Sequence, residues 1–443
     1  MKIGLTGHYS VTRLVKTSLP LIAMMIVTSI YSVIDGYFVS NFAGSTEFAS
    51  MNLVWPVLSL TSAIGLMIGT GGSALVSKTL GEGDRRKAEG IFTMLVRVSI
   101  AVGCIVSVLL IVFMKDIVTA LGAKGDMIPL AEEYGRIVSL GMVGFILQME
   151  FQSFYMTAER PQLGTMMSIV SGVVNIALDA LFIIAFGWGL EGAAVATAVS
   201  LGIGGAFPLV YFSSSSNKSN LKFIKGCGTD WKALGKACSN GISEYVGNVA
   251  LSIVSIGYNI QLMKYIGENG VSAYGVIMYV GFIFGSVFIG YNLCASQVIA
   301  YNYGAGNRKE LRSLLGKSLI LIGTAGLILT AAAQLSAPLL SRIFVGYDDG
   351  LSELTVHALR LYMVSFLLCG FNMFCSAWFT ALNNGIVSAV AAFSRTLVLE
   401  LGTVFILPSI IGIDGIWFSV SVAEILAFLM TLTLIFCFRK RYL

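Results

Sequence analysis

The sequence predicts an all-α polytopic membrane protein, with twelve transmembrane helices arranged in two pseudo-symmetric six-helix lobes. Three observations lead to this fold class: an apolar composition, a series of long apolar runs and an internal repeat. Hydrophobic residues make up 56% of the 443 residues and charged residues only 12%. A water-soluble surface requires about twice that charged fraction. Most of the molecular surface therefore faces lipid.

Twelve apolar runs are each long enough to cross the roughly 30 Å hydrocarbon core of a bilayer, which takes about 20 helical residues. We predict spans over residues 17–40, 51–77, 90–114, 134–157, 163–187, 190–212, 240–263, 272–301, 316–339, 355–381, 385–409 and 415–438. The joints at 158–162, 187–189, 383–385 and 412–415 are too short to be domains. They are typical of tight turns between antiparallel helices.

The two halves of the chain match each other at one ungapped shift of 223 residues, as from Gly44 to Gly267 or from Arg85 to Arg308. Four separate blocks match at this shift, and each half contains six spans. An even number of spans gives parallel repeats related by an axis along the membrane normal. We expect an N-terminal lobe over 1–212, a cytoplasmic linker over 213–239 and a C-terminal lobe over 240–443. Two such lobes can rock about a central site, which favours alternating-access transport.

Lysine and arginine are distributed unequally between the two sides of the predicted membrane protein. One side, which includes both termini and the predicted linker, holds 20 of these residues and the other holds 6. Because basic residues accumulate on the cytoplasmic side, we expect both termini to be cytoplasmic. The net charge of +5 then follows from topology, and no nucleic-acid partner is expected.

Ionisable side chains inside spans are the main candidates for a functional site. Asp35 lies within the first span and Asp179 within the fifth, where an ionised carboxylate costs about 2.5–3.5 kcal/mol. Asn175 precedes Asp179 by four residues and so shares its helix face, Thr197 lies on the sixth span, and Tyr31 lies one turn before Asp35. These groups predict a cation-coupling site. The alternative is that the acids only hydrogen-bond neighbouring helices.

Two acids, an amide and a hydroxyl suit a hard cation such as Na⁺. The metal ligands for Na⁺ would be Asp35, Asn175, Asp179 and Thr197. Two adjacent carboxyl groups can instead share one proton. At the shift of 223, Asp35 and Asp179 fall on Tyr258 and Gly402, so coupling should be confined to the N-terminal lobe.

The second lobe carries its own ionisable residues within spans. Arg395 and Glu400 lie five residues apart on one helix, and Glu424 can face Arg395 from the last span. This arrangement favours a structural ion pair over recognition of a substrate cation. Glu244 lies near the end of a span and is either interfacial or part of a cavity.

No motif in the chain indicates an enzyme or a bound cofactor. His8 and His357 are the only histidines, which excludes a histidine-based metal centre. The strings at 234–237 and 314–318 lack the preceding glycine of a phosphate-binding loop. The energy for transport should therefore come from an ion gradient, with H⁺ or Na⁺ as the coupling ion.

Several segments resemble those of the MATE (multidrug and toxic compound extrusion) transporters, and the bacterial DinF-like branch is the most similar. The resemblance is carried by LPLIAMMIVTSIYSVIDGYFVSNFAG, by NIALDALFI with GLEGAAVATAVS after it, and by ASQVIAYNYGAGNRKEL. It covers nearly the whole chain. It implies MATE-type lobes, efflux of small-molecule organic cations driven by inward H⁺ or Na⁺, and a monomer in the lipid bilayer of the bacterial cell (inner) membrane.

The resemblance also implies roles for individual residues. The polar positions of the N-terminal cation site are matched by Asp35, Asn175, Asp179 and Thr197. Tyr31 and Pro20 match the tyrosine and the bending proline of the first helix. Ser153 departs from the pattern, because it stands where the fourth helix usually has asparagine. The shorter side chain removes an amide ligand and weakens the case for sodium more than that for a proton.

The predicted function is secondary active multidrug efflux by antiport, with lipophilic organic cations leaving as H⁺ or Na⁺ enters. The alternative is a flippase of a lipid-linked or amphiphilic substrate on the same architecture. A flippase for anions should line its cavity with basic residues, but only Arg97 and Arg395 lie deep within spans.

Overall fold

The computed structural model describes residues 4–125, 127–214, 217–226, 228–346 and 348–442, and within these ranges it contains helices and no strand. Its α-helices are α1 (Val11–Phe38), α2 (Ser45–Gly81), α3 (Arg85–Ala120), α4 (Met127–Leu140), α5 (Met142–Thr157), α6 (Pro161–Asp179), α7 (Gly189–Ser213), α8 (Trp231–Tyr265), α9 (Glu268–Gly304), α10 (Arg308–Val345), α11 (Asp349–Met363), α12 (Phe366–Ala381), α13 (Gly385–Phe393), α14 (Leu401–Ile406), α15 (Pro408–Ile411) and α16 (Asp414–Tyr442). Three π-helical segments cover Val39–Ala43, Ala180–Ala185 and Ser394–Glu400.

The helices confirm the predicted fold of twelve spans. Ten spans in the described ranges are single or nearly continuous helices, and two are bent pairs. The α4–α5 pair bends by 58° and the α11–α12 pair by 47°. Eight of the described spans begin four or more residues before the predicted runs, because polar residues lie in their first two turns, whereas most of the other boundaries agree more closely.

The internal repeat is visible in backbone geometry. The first two spans of each half are joined through a glycine of positive φ, Gly44 at 136° and Gly267 at 88°. The third span of each half begins after an N-cap side chain, Asp84 in one half and Asn307 in the other, which accepts a hydrogen bond from a backbone N–H three residues on. The bend at Gly141 lies at the position equivalent to the bend between α11 and α12.

The predicted linker is partly helical. α8 begins at Trp231 because the Asp230 side chain caps it and accepts hydrogen bonds from the backbone N–H groups of Lys232 and Ala233. Residues 215, 216 and 227 of the predicted linker lie outside the described residues. The lobe boundaries at 212 and 240 remain a prediction.

Both chain termini lie at one end of the bundle, which we call the terminal face. The backbone N–H of Leu5 donates to Glu159 Oε1, 2.7 Å away, in the turn between α5 and α6. At the C-terminus, Asn384 Nδ2 donates to the Tyr442 hydroxyl over 3.0 Å. The predicted basic side of the protein corresponds to this face.

The two lobes meet near the terminal face through glycines that let helix backbones touch. A Cβ atom added at Gly241 of α8 would overlap the carbonyl oxygen of Met67 on α2. One added at Gly81 of α2 would overlap the carbonyl oxygen of Tyr301 on α9. Only glycine permits such an approach of helices within a membrane.

Burial along α9 shows where the lobes are joined. Every residue from Tyr291 to Ala300 is buried, whereas the preceding turns of the helix expose one side. On α2, residues 71–77 are likewise all buried, and Asn52 and Trp55 near its other end are exposed. The lobes are therefore packed together in the half of the bundle next to the terminal face.

A buried polar contact, the Gln297 contact, crosses between the lobes in this region. Gln297 Oε1 on α9 accepts hydrogen bonds from Ser77 Oγ at 2.9 Å and Thr157 Oγ1 at 3.1 Å. Its Nε2 donates to Ser73 Oγ at 2.9 Å. Because these groups are buried, separating the lobes requires water to replace their hydrogen bonds.

Replacing Gly241 by alanine should destabilise the closed contact between α2 and α8. The new methyl group must displace the Met67 carbonyl, and overpacking of this kind costs about 1–3 kcal/mol. Gly247→Ala on the same helix is the matched control, because nothing lies within 4 Å of a Cβ atom there. We expect a lower thermal midpoint for purified Gly241→Ala than for Gly247→Ala. Equal midpoints would contradict the proposed role of the glycine contact.

Candidate cation-coupling site

The structure brings Asp35 and Asp179 together, as the sequence predicts. Asp35 lies near the end of α1 and Asp179 is the last residue of α6, and these two helices pack against each other. Their carboxyl groups lie within interaction distance, so each can bond to the other when one proton is shared.

The register between α1 and α6 explains why the two acids meet. Thr28 Oγ1 lies 3.4 Å from Ser168 Oγ, and a Cβ atom on Gly172 would lie 3.3 Å from the Tyr31 side chain. The two helices therefore run in parallel at this contact. Asp35 lies one turn beyond Tyr31 and Asp179 lies two turns beyond Gly172, so both carboxyl groups lie towards the same end of the contact between α1 and α6.

Each acid is followed by a π-helical segment. Val39–Ala43 begins one turn after Asp35, and Ala180–Ala185 begins immediately after Asp179. The two segments contact each other. Insertion of a π turn changes the register of the side chains on either side, and such distortions occur frequently at functional sites.

Asn175 and Thr197 belong to the same polar cluster. Asn175 lies one turn before Asp179 on the same face of α6. Ser171 Oγ donates to the Ser200 carbonyl oxygen over 2.8 Å, which fixes α6 against α7 so that the next polar pair along the contact is Asn175 and Thr197.

The cluster contains polar atoms that have no hydrogen-bond partner. Among the described residues of the cluster, five buried oxygens lack one: Asp35 Oδ1, Asp179 Oδ1 and Oδ2, Asn175 Oδ1 and Thr197 Oγ1. Buried polar atoms are normally satisfied, and leaving several unsatisfied at one place is costly. Oxygen donors in this arrangement suit a small hard cation or a proton.

Tyr134 is part of this neighbourhood and was missed by the sequence analysis. Its side chain is 1% exposed on α4, its hydroxyl has no hydrogen-bond partner, and it interacts electrostatically with both Asp35 and Asp179. The chain has 17 tyrosines, and nothing in the sequence alone distinguishes Tyr134. It reaches the site because α4 packs against α7.

The other predicted residues of this lobe lie around the pair in different ways. Tyr31 packs on Gly172 and lies within electrostatic range of Asp35. Pro20 interrupts the hydrogen bonding of α1, and its carbonyl oxygen accepts a hydrogen bond of 2.5 Å from Thr165 Oγ1. An apolar cleft of about 510 Å³ lies between α1 and α6 at Pro20. Ser153 is buried on α5, and its Oγ has no partner.

The second lobe holds a satisfied ion pair. Arg395 Nε donates to Glu424 Oε1 over 2.9 Å, and Asn372 Nδ2 donates to Glu424 Oε2 over 2.6 Å. Arg395 also contacts the Cys369 sulfur at 3.3 Å. Glu400 is buried nearby and interacts with Arg395 only at longer range. These contacts support the structural interpretation of Arg395. Glu244 is half-buried on α8.

The positions equivalent to the two acids carry no ionisable pair. Tyr258 is fully buried, its hydroxyl lies 2.9 Å from Ser419 Oγ, and its ring stacks on Tyr274 at 4.7 Å between centroids. Gly402 offers no side chain. Tyr258 therefore has a hydrogen-bond partner, and Gly402 has no polar side-chain atom. This agrees with a cation-coupling site confined to the N-terminal lobe.

Comparison with known proteins agrees with the fold and with the repeat. A sequence profile of the MatE family matches residues 20–181 and 245–406, one stretch in each half. The chain is 24% identical over 428 residues to the multidrug export protein MepA of Staphylococcus aureus (strain NCTC 8325 / PS 47), covering 96% of this chain and 93% of that protein. It is 23% identical over 426 residues to MepA of Staphylococcus haemolyticus, with the same coverage.

Solved structures show the same arrangement of helices. A crystal structure of MATE in complex with MaL6 superposes with a TM-score of 0.92 at 22% identity, covering 98% of both chains. A MOP superfamily transporter from Pyrococcus furiosus superposes with a TM-score of 0.89 at 23% identity and the same coverage. At this level of identity the comparison establishes the fold alone.

The ion pair of the second lobe can be tested by a pair of variants. Arg395→Met leaves the Glu424 carboxylate buried without a counter-ion, which should cost about 3–5 kcal/mol of stability. Adding Glu424→Gln removes the charge and keeps an acceptor for Asn372, so the double variant should recover most of the loss. Thermal and denaturant unfolding in detergent measures both. An Arg395→Met variant as stable as the wild type would contradict a structural role.

Proposed function

Because the chain belongs to the MatE family, we propose that it is a secondary active multidrug efflux antiporter. It exports lipophilic organic cations as H⁺ or Na⁺ enters. The observation that carries the proposal is the cluster of buried, unpartnered oxygens around Asp35 and Asp179. The names of its relatives, which are multidrug export proteins, support the same activity.

In this proposal the terminal face is cytoplasmic and the cell membrane holds the protein as a monomer. The unequal distribution of basic residues supports the orientation. The structure is packed shut at the terminal face, and we infer that it corresponds to a state in which ions would reach Asp35 and Asp179 from the opposite side. Opening towards the cytoplasm requires the Gln297 contact and the glycine contacts to separate.

Coupling follows from competition for the N-terminal lobe. An ion bound by Asp35, Asn175, Asp179 and Thr197 satisfies the orphaned oxygens and stabilises the state that lacks the organic cation. Loss of the ion to the cytoplasm leaves negative charge in a low-dielectric site, which favours rebinding of an organic cation. Exchange requires only that the two ligands prefer different states or exclude one another. Tyr31 and Tyr134 hold the first and fourth spans against the pair.

The donor set is compatible with either coupling ion. Carboxylate, amide and hydroxyl oxygens are suitable ligands for Na⁺, and the close carboxyl pair can share a proton. Ser153 on α5 carries a hydroxyl group where the family usually has an amide, so this position supplies no amide ligand. Pro20 and the cleft beside it give α1 room to change its bend as the site fills.

The inward movement of the coupling ion supplies the driving force for efflux. One ion entering across about 100 mV releases about 2.3 kcal/mol, which supports a gradient of roughly fifty-fold. Exporting one monovalent cation costs the same electrical work, so one-for-one exchange depends on the chemical gradient of the ion. A higher ion stoichiometry would add the membrane potential to the driving force.

The flippase alternative lacks a comparable observation. Arg395 forms an ion pair with Glu424, and Arg97 is exposed on the outer surface of α3. Neither arginine forms part of a basic cavity lining.

Asp35→Asn and Asp179→Asn should each abolish uptake of a fluorescent lipophilic cation driven by an imposed ion gradient in proteoliposomes. Each change removes the charge that binds the coupling ion and preserves the shape of the side chain. Asp116→Asn is the matched control, because Asp116 is exposed at the end of α3. We expect at least a tenfold loss for the first two variants, with no loss for the control.

Normal transport by both site variants would show that the coupling site is assigned wrongly. Scrambling of a labelled lipid by the wild-type protein, with no movement of the organic cation, would contradict antiport and favour the flippase.

A further inference from the structure

We propose that Glu150 is a second proton-binding site of the N-terminal lobe, separate from the Asp35–Asp179 pair. Its proton leaves towards the terminal face when the two lobes separate there. The direction of this movement rests on the proposed function, whereas the site itself rests on the geometry of α5.

Glu150 is a buried carboxyl group without a bonding partner. Its side chain is 0% exposed, and neither carboxylate oxygen has a hydrogen bond. Among the ion pairs of the described residues, none involves Glu150. An ionised carboxylate held in this way would cost several kcal/mol. In the closed state the group therefore binds a proton.

The described residues of the helices packed around α5 present no charge to Glu150. α2 contributes Gly69, where an added Cβ atom would lie only 2.6 Å from the Glu150 carbonyl oxygen. α3 contributes Ser99, which interacts with the carboxyl group and whose Oγ also lacks a partner of good geometry.

The other ionisable groups of these helices lie elsewhere. Charged residues near helix ends or on outer surfaces are Glu47 and Lys78 of α2; Arg85, Arg86, Lys87, Glu89, Arg97, Lys115 and Asp116 of α3; Glu132, Glu133 and Arg136 of α4; Glu191 of α7; and Glu268 of α9. Asp179 of α6 and Tyr134 of α4 belong to the Asp35 site, and Tyr291 and Cys294 of α9 interact with each other.

A row of hydroxyl groups lies along α5 between Glu150 and the contact between the lobes. Ser153 and Thr157 follow it at intervals of three and four residues, so all three lie on one face of α5. Ser153 Oγ is buried without a partner. Thr157, about 10 Å along the helix from Glu150, bonds to Ser77 and to Gln297.

This row gives the proton a route that depends on conformation. While the lobes are closed, Gln297 occupies the end of the row and separates it from water. When α9 withdraws, Ser77 and Thr157 become open to the terminal face. The O–H bond of Glu150 then breaks and its proton passes to water on that side. On return, a proton from water re-forms the bond, and no other reactant is needed.

Infrared spectroscopy of the purified protein tests the site directly. The wild type should show a protonated-carboxyl stretching band that persists in the Asp35→Asn/Asp179→Asn double variant and loses one component in Glu150→Gln. Glu191→Gln, an exposed glutamate on α7, is the matched control and should leave the band unchanged. If Glu150→Gln does not fold, Glu150→Asp should shift the same component. A band unchanged in either Glu150 variant would overturn the proposal.

Proton counting in proteoliposomes tests whether this proton moves. Glu150→Gln should carry one proton fewer per exported organic cation than the wild type and Glu191→Gln. Unchanged stoichiometry would mean that Glu150 stays protonated as a packing group, which overturns the proposal. Normal transport by the Asp35→Asn/Asp179→Asn variant would contradict the proposed coupling site but would leave the Glu150 band test unaffected. The two failures are therefore distinguishable.

Discussion

The cost of burying a polar atom without a partner determines how the two halves of this protein differ. In hydrocarbon every unsatisfied donor or acceptor costs free energy, and a charge costs more. In the C-terminal lobe the buried charges of Arg395 and Glu424 meet this constraint internally, because Arg395, Glu424 and Asn372 bond to one another. The N-terminal lobe leaves the oxygens around Asp35 and Asp179 without partners. An ion or a proton from outside can satisfy them, and this makes that lobe sensitive to a gradient.

The same constraint governs the contact between the lobes. Near the terminal face, glycines on α2, α8 and α9 bring backbones together, and Gln297 finds three hydroxyl partners on the opposite lobe. Closing that end therefore pairs both polar groups of the Gln297 side chain with hydroxyl groups of the other lobe. Opening it needs water to enter, so the contact can separate only into an aqueous cavity. An ion that binds at Asp35 and Asp179 and shifts the equilibrium between the closed and open contact can thus control access at the terminal face.

Much of the fold could be predicted from sequence because its causes are local or periodic. Apolar runs identify the spans, and the shift of 223 residues identifies the lobes. The bends at Gly141 and between α11 and α12 could not be predicted, because no proline marks them and they arise from packing. The π-helical segments after Asp35 and Asp179 were likewise unpredicted, since nothing in their composition differs from that of an α-helix.

The candidate site could be predicted only in part. Asp35, Asp179 and Asn175 stand out because charged and amide groups are rare in spans, and helix geometry places two of them on one face. Glu150 satisfies the same criterion, in the run FILQMEFQSF, yet the sequence analysis passed over it. Tyr134 and Gln297 are different, because their roles depend on which helices touch, and one sequence does not contain that information.

Antiport by this protein requires that an inorganic cation and an organic cation exclude each other through Asp35 and Asp179. Equilibrium binding of a labelled lipophilic cation to the purified protein, measured while pH and Na⁺ concentration are varied separately, tests it most directly. Thermodynamic linkage requires that the organic cation weakens binding of the ion by the same factor as the ion weakens binding of the organic cation. We expect one of the two ions to weaken binding at least tenfold in the wild type and to lose most of this effect in the Asp35→Asn/Asp179→Asn variant. Affinity that is independent of both ions in the wild type would contradict it.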